Sequence, residues 1–228
     1  MKKIVLLFIS LFLIQINLYS LNNNDLFFKD FISRSWNAQD GIPGNTITDI
    51  MQSSNGYIYF GTYGGLVRFD GLNFTVLNQN YNSDFAFRST RVVVQDKRGN
   101  LWVGSNDEGV FCIKTDGQVI SFSTENGLTN NSVRAICEDF ENNIWVGTAS
   151  GINVISDEYQ IIKPKGFDTV PENNIFIVNQ MYCDTAGRIW ILSLTEKSTY
   201  TYSENKFEKF SNIHSIKEPI ITTMNQDA

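Results

Sequence analysis

Along most of the chain, short apolar runs alternate with polar turns rich in Gly, Asn and Asp. Val133–Glu138 is such a run. It is followed by Asp139-Phe140-Glu141-Asn142, by Ile144–Thr148, by Ala149-Ser150-Gly151, and by a further run over residues 152–156. Runs this short, bounded by turn residues, predict strands rather than helices. Upstream, Val67-Arg68-Phe69 and Phe74–Leu77 flank Asp70-Gly71. Asp-Gly between apolar runs predicts a hairpin, because glycine takes the positive φ that the tight turn requires. Gly56, Gly99 and Gly187 occupy a recurring turn position for the same reason, and Asn142, the next-best residue for left-handed backbone, holds it in the third unit.

The pattern repeats. Tyr59, Trp102, Trp145 and Trp190 stand 43, 43 and 45 residues apart, and Asp96, Asp139, Asp184 and Asp227 stand 43, 45 and 43 apart. A period of about 40–45 residues filled with strands is the signature of propeller blades. A four-stranded sheet has two sticky faces, and stacking blades around an axis buries them. The expected fold is therefore all-β, a β-propeller of four-stranded blades over about 46–78, 90–123, 132–163 and 175–211. The start of a fifth blade is expected over 219–228, so the ring is expected to be incomplete and the chain part of a longer protein. Tyr59, Trp102, Trp145 and Trp190 read as anchors wedged between blades, and Asp96, Asp139 and Asp184 as caps that bond turn N–H groups.

Residues 21–45 read as an N-terminal segment in which 26–36 forms a ring-closing strand. Before it, Met1-Lys2-Lys3 leads an apolar run over 4–14 and a small residue, Ser20. This matches a secretory leader over residues 1–20; an uncleaved anchor is the alternative. Export, to the periplasm or to the periplasmic side of the inner membrane, is the expected localisation. The formal charge of −6 becomes −8 once Lys2 and Lys3 leave with the leader, which speaks against a nucleic-acid partner. Cys112, Cys137 and Cys183 are odd in number and lack CxxC spacing. They read as buried free thiols, with one disulfide as the alternative.

The stretch 40–74 reads Asp-Gly-Ile-Pro-Gly-Asn, a strand, a Gly-x-x-Tyr-x-Gly-Thr turn and strand, and Gly-Leu-Val-Arg-Phe-Asp-Gly-Leu-Asn-Phe. A related lead-in, Ser123-Thr124-Glu125-Asn126-Gly127-Leu128, precedes the third unit. These motifs resemble the two-component regulator propeller repeat across residues 31–228. The resemblance implies an extracytoplasmic ligand-sensing region of a bacterial signalling protein, followed by a β-sandwich, a membrane helix and a histidine kinase or diguanylate cyclase output. An exported interaction scaffold without output is the alternative. The implied ligand is a small molecule or oligosaccharide. Any membrane contact is expected only through downstream segments or an uncleaved leader, and homodimerisation is a further expectation for the full-length protein.

No catalytic constellation emerges. The single histidine, His214, lies in an irregular stretch and reads as a surface residue, so a propeller lyase or hydrolase lacks an evident base. No metal ligand set and no cofactor motif is present, and the protein is expected not to be an enzyme. The loops entering each first strand carry Asn45, Arg88 and Asn131 in register, and three residues on stand Thr48, Arg91, Arg134 and Asn179. Guanidinium and amide groups repeated around one ring can bind carboxylates or sugar hydroxyls. Asn45, Arg88, Arg91, Asn131, Arg134 and Asn179 are accordingly the candidate ligand-binding residues. The linker 78–90, with Tyr81, Phe85 and Phe87, reads as a lid or an interblade plug.

Overall fold

The computed structural model describes residues 33–44, 46–166, 177–195 and 198–210. Four four-stranded sheets are present, as the repeat predicts, each an open antiparallel meander. The first holds β1 (Ile47–Gln52), β2 (Ile58–Thr62), β3 (Gly65–Phe69) and β4 (Phe74–Leu77). The second holds β5 (Val92–Gln95), β6 (Leu101–Gly104), β7 (Val110–Ile113) and β8 (Val119–Phe122). The third holds β9 (Val133–Glu138), β10 (Ile144–Thr148), β11 (Gly151–Ile155) and the short β12 (Ile161–Ile162). The fourth holds β13 (Val178–Cys183), β14 (Ile189–Ser193), β15 (Ser198–Ser203) and β16 (Lys206–Phe210). No α-helix occurs among the described residues.

Met1–Trp36 forms a unit of its own, in which the Arg34 guanidinium lies 5.5 Å over the Trp36 ring. The leader, Asn45, His214, Asp227 and the expected fifth blade lie outside the described residues, as does the expected closing strand up to residue 32.

Within Asn37–Ala228 the first strands β1, β5, β9 and β13 run side by side in chain order. That arrangement defines the inner wall of a propeller. Apolar clusters fill the three seams. Tyr59, Leu66 and Leu77 of the first blade meet Val93, Val103 and Phe111 of the second. Trp102, Val110 and Phe122 of the second meet Ile136, Ile144 and Val146 of the third. Trp145 and Val154 of the third meet Val178, Met181 and Ile191 of the fourth. The linker 78–90 is a plug: Phe85 and Phe87 are buried in the first seam, their rings 5.8 Å apart, and Phe87 tilts onto Phe111 at 5.1 Å.

Two devices recur at the seams. The residue before each turn reaches back to the preceding blade: Gln95 Oε1 accepts from Ser54 N at 2.7 Å, and Glu138 Oε2 accepts from Lys97 N at 2.9 Å. In the fourth blade this register position is Cys183. The second device is close backbone approach at the glycine two residues after each anchor. A Cβ on Gly104 would lie 2.5 Å from Val133 Cγ1, and one on Gly147 would lie 2.4 Å from Val178 Cγ1. On Gly61 it would meet Thr90 O at 3.2 Å as well as Thr48 Oγ1 at 2.5 Å. The fourth blade carries Leu192 in this place, and it is buried.

Glycine is thus required where the next blade's first strand leans on the second strand. Gly147→Ala is expected to destabilise the protein by about 1–3 kcal/mol, the usual range for overpacking, measured by urea unfolding. An unchanged midpoint would show that the seam relaxes freely.

Candidate functional site

The turn carboxylates divide their two oxygens between two duties. Asp139 Oδ1 accepts from the backbone N–H of Glu141 and of Asn143, both at 2.8 Å, while Oδ2 accepts from Trp145 Nε1 at 2.9 Å. Asp96 accepts from Asn100 N at 2.8 Å and from Trp102 Nε1 at 2.9 Å. Asp184 accepts from Ala186 N and Arg188 N, both at 2.9 Å, from Arg188 Nε at 2.7 Å and from Trp190 Nε1 at 2.8 Å. The turn caps were expected from sequence and the indole bonds were not, although the constant six-residue Asp–Trp spacing is their signal. In the first blade Ser53 stands in for the acid and Tyr59 for the indole. The turn is closed there by backbone bonds, Ser53 N to Tyr57 O and Gly56 N to Ser53 O, both 2.9 Å, and by Ser53 Oγ, which donates to Tyr57 O at 3.0 Å. These acids are fully engaged in the frame. Trp102 and Trp145 are buried in their seams, and Trp190 is half-buried with the Arg188 guanidinium 5.3 Å over its ring.

The polar stations at the ends of the first strands separate into two groups. Arg88 points outward, its side chain 87% exposed, with Nε 3.3 Å from Glu108 Oε1. Asn131 serves its own loop, its Oδ1 accepting from Thr124 N at 2.7 Å and its carbonyl from Gly109 N at 3.0 Å. Neither lines the inner wall. Arg91, Arg134, Asn179 and Thr48 do: they come from the four adjacent first strands and line one cleft of about 310 Å³, together with Asp49, Gln180 and apolar residues.

Thr48 Oγ1 donates to Thr90 O at 2.7 Å. Arg91 Nη1 donates to Asn106 Oδ1 at 3.3 Å, whereas Arg134 Nε is buried with no hydrogen-bond partner. Burial, and then the neighbouring Arg91 charge, holds the Arg134 pKa below its ordinary value. Asp49 went unnoticed in the sequence. Its signal is an acid at a register position that holds Val92, Ala135 and Gln180 in the other blades. Its carboxylate accepts from Ile50 N at 2.9 Å and, across the seam, from Val93 N at 2.8 Å. Burial raises its pKa, against the pull of these two bonds.

A larger cavity of about 510 Å³ lies at the outer side of the third seam, lined by Phe140, Trp145, Lys163, Lys165 and Tyr202 among others. It holds none of the repeated stations, its indole is already committed to Asp139, and Tyr202 Oη donates across it to Lys165 O at 3.0 Å. The inner cleft is therefore the better candidate site. The three cysteines are free. Burial pushes the Cys112 thiol up to about 12 and raises Cys137 and Cys183 as well, so none is a ready thiolate.

The two component regulator propeller family matches residues 41–64, 86–107 and 127–150. Each match takes in the first two strands of one of the first three blades. Over 85 residues the chain is 31% identical to histidine kinase P4 of Formosa agariphila, a stretch covering 34% of this chain and 6% of that protein. Its fold resembles the extracellular domain of a hybrid two component system of B. thetaiotaomicron, with a TM-score of 0.62 at 23% identity, over 76% of this chain and 24% of the other. It also resembles an inactive variant of virginiamycin B lyase from Staphylococcus aureus, crystallised with quinupristin, with a TM-score of 0.59 at 15% identity, over 77% of this chain and 58% of the other. These structural likenesses place the fold among β-propellers.

The Asp184 bonds make stability depend on pH. Partial burial works to raise its pKa, but the bonds from Trp190, Arg188 and Ala186 outweigh it and bring it down to about 2. The folded value lies below the unfolded one of about 3.9. The stabilisation is therefore complete above pH ~4 and lost as pH falls towards ~2. Asp184→Asn is expected to flatten stability across that window in urea titrations run from pH 2 to 5; a slope equal to wild type would refute the assignment.

Proposed function

We propose that this chain is the extracytoplasmic ligand-sensing region of a bacterial two-component or diguanylate cyclase-type signalling protein, with its ligand seated in the inner cleft. One observation carries the reading. Residues at one repeated station, Thr48, Arg91, Arg134 and Asn179, converge on a single concave site in a chain whose first three blades match the two component regulator propeller repeat. Polar groups converging in a cleft of this size fit a small ligand. The kinase relative and the extracellular domain of the hybrid system support the sensing role and an exported location.

The lyase likeness supports an alternative chemistry less well. The inactive form of the S. aureus lyase is a histidine-to-alanine variant, and the described residues of this chain include no histidine. None of the three cysteines lines the cleft, and both oxygens of Asp49, the carboxylate that does, are engaged by backbone N–H groups.

A thermal-shift screen of the whole chain against neutral and acidic mono- and disaccharides tests the reading. A ligand at about a hundredfold its Kd is expected to raise the Tm by about 5–10 °C, and Asn179→Ala is expected to weaken that response. A panel without response, or one indifferent to cleft substitutions, would argue for the scaffold alternative.

A further inference from the structure

The inner cleft contains a charge arrangement that the fold itself does not require. Arg91 and Arg134 stand at the same register position of adjacent blades and line the same cleft. The first and fourth blades place neutral Thr48 and Asn179 there, so the propeller folds without a cation at this station. No ion pair engages either guanidinium among the described residues. Asp49, the one carboxylate lining the cleft, is turned to the backbone N–H groups of Ile50 and Val93. Arg134 Nε is buried and unpartnered.

A partly buried cation beside a like charge carries a cost, and buried donors in folded proteins normally find partners. Guanidinium groups bind carboxylate and sulfate oxygens through paired, charge-assisted hydrogen bonds. Building on the proposed sensing role, we infer that Arg91 and Arg134 together clamp an oxyanion, a carboxylate or sulfate, carried by a ligand about the size of a mono- or disaccharide. The neutral stations on either side, Thr48 and Asn179, flank the clamp on the same wall, where the uncharged part of the ligand lies.

The test is calorimetric titration of the whole chain with a galacturonic acid disaccharide, with inorganic sulfate, and with a neutral galactose disaccharide, at constant ionic strength. The acidic sugar or sulfate is expected to bind and the neutral sugar not to; which of the two anions binds distinguishes carboxylate from sulfate. Replacing both arginines, Arg91→Gln with Arg134→Gln, is expected to weaken the anion at least about tenfold, while Arg88→Gln, outside the cleft, leaves it unchanged.

A ligand-free readout guards against misfolding. Arg134→Met is expected to keep or raise the Tm, because it removes an uncompensated charge, whereas an arginine with a structural role would lower it. Absence of anion binding, or binding that survives loss of both arginines, overturns the clamp. A neutral ligand that binds the wild type and the double variant alike, yet loses affinity in Asn179→Ala, overturns the clamp and leaves the sensing site standing. A ligand indifferent to every cleft substitution overturns both.

Discussion

A single carboxylate with two obligations organises each of the last three blades. One oxygen of Asp96, Asp139 or Asp184 closes the turn between the first and second strands. The other holds the indole six residues later. The turn is a local matter and the wedge a matter between blades, and this acid couples them. A buried indole N–H needs a partner, and a turn needs an acceptor for its inward N–H groups. One residue supplies both, so the ring is oriented by the turn of its own blade. The first blade gives up both halves at once, with Ser53 and Tyr59, which is how a coupled pair behaves. An indole without the acid would leave a donor stranded, and an acid without the indole would leave a charge half satisfied.

Much of this was legible from spacing. The four-stranded sheets and their strand order among the described residues follow from a fixed period, because each blade must solve the same packing problem. The Asp turn caps were legible because the turn is local. The indole bond was not, since nothing in residue type alone says which of several polar groups a buried N–H will reach. The polar stations were legible as a register and not as a site. Arg88 and Asn131 differ from Arg91 and Arg134 only by three positions along the chain. That is enough to move a side chain from the loop crown, where Glu108 and Thr124 engage it, to the inner wall. Asp49 was hidden for the opposite reason: the informative comparison is with the uncharged residues Val92, Ala135 and Gln180 at the same position in other blades.

The cleft and the frame make different demands on the same sheets. Along the seams polar groups tie neighbouring blades together: Gln95 and Glu138 reach back to the preceding turn, and Asp49 crosses to Val93. On the inner wall the accounting changes, and two cations sit together without an answering charge. Departures from local consistency of this kind tend to mark the places where a protein meets something else. The propeller is suited to such a division, because its first strands bring one residue from each blade to a shared surface while their buried residues also pack into the seams.

Leu192 gives the array a direction. In the first three blades a glycine leaves room for the residue that leads the next blade's first strand, Thr90, Val133 or Val178, to sit against the second strand. The fourth blade fills that space with its own side chain. A blade with a glycine there can be followed by any first strand of similar bulk; a blade with leucine cannot. Moving the fourth blade between the second and third would drive Leu192 into the volume now occupied by Val133. The units are similar enough to be recognised as copies, yet they have lost the freedom to be shuffled, and their order along the chain has become part of the structure.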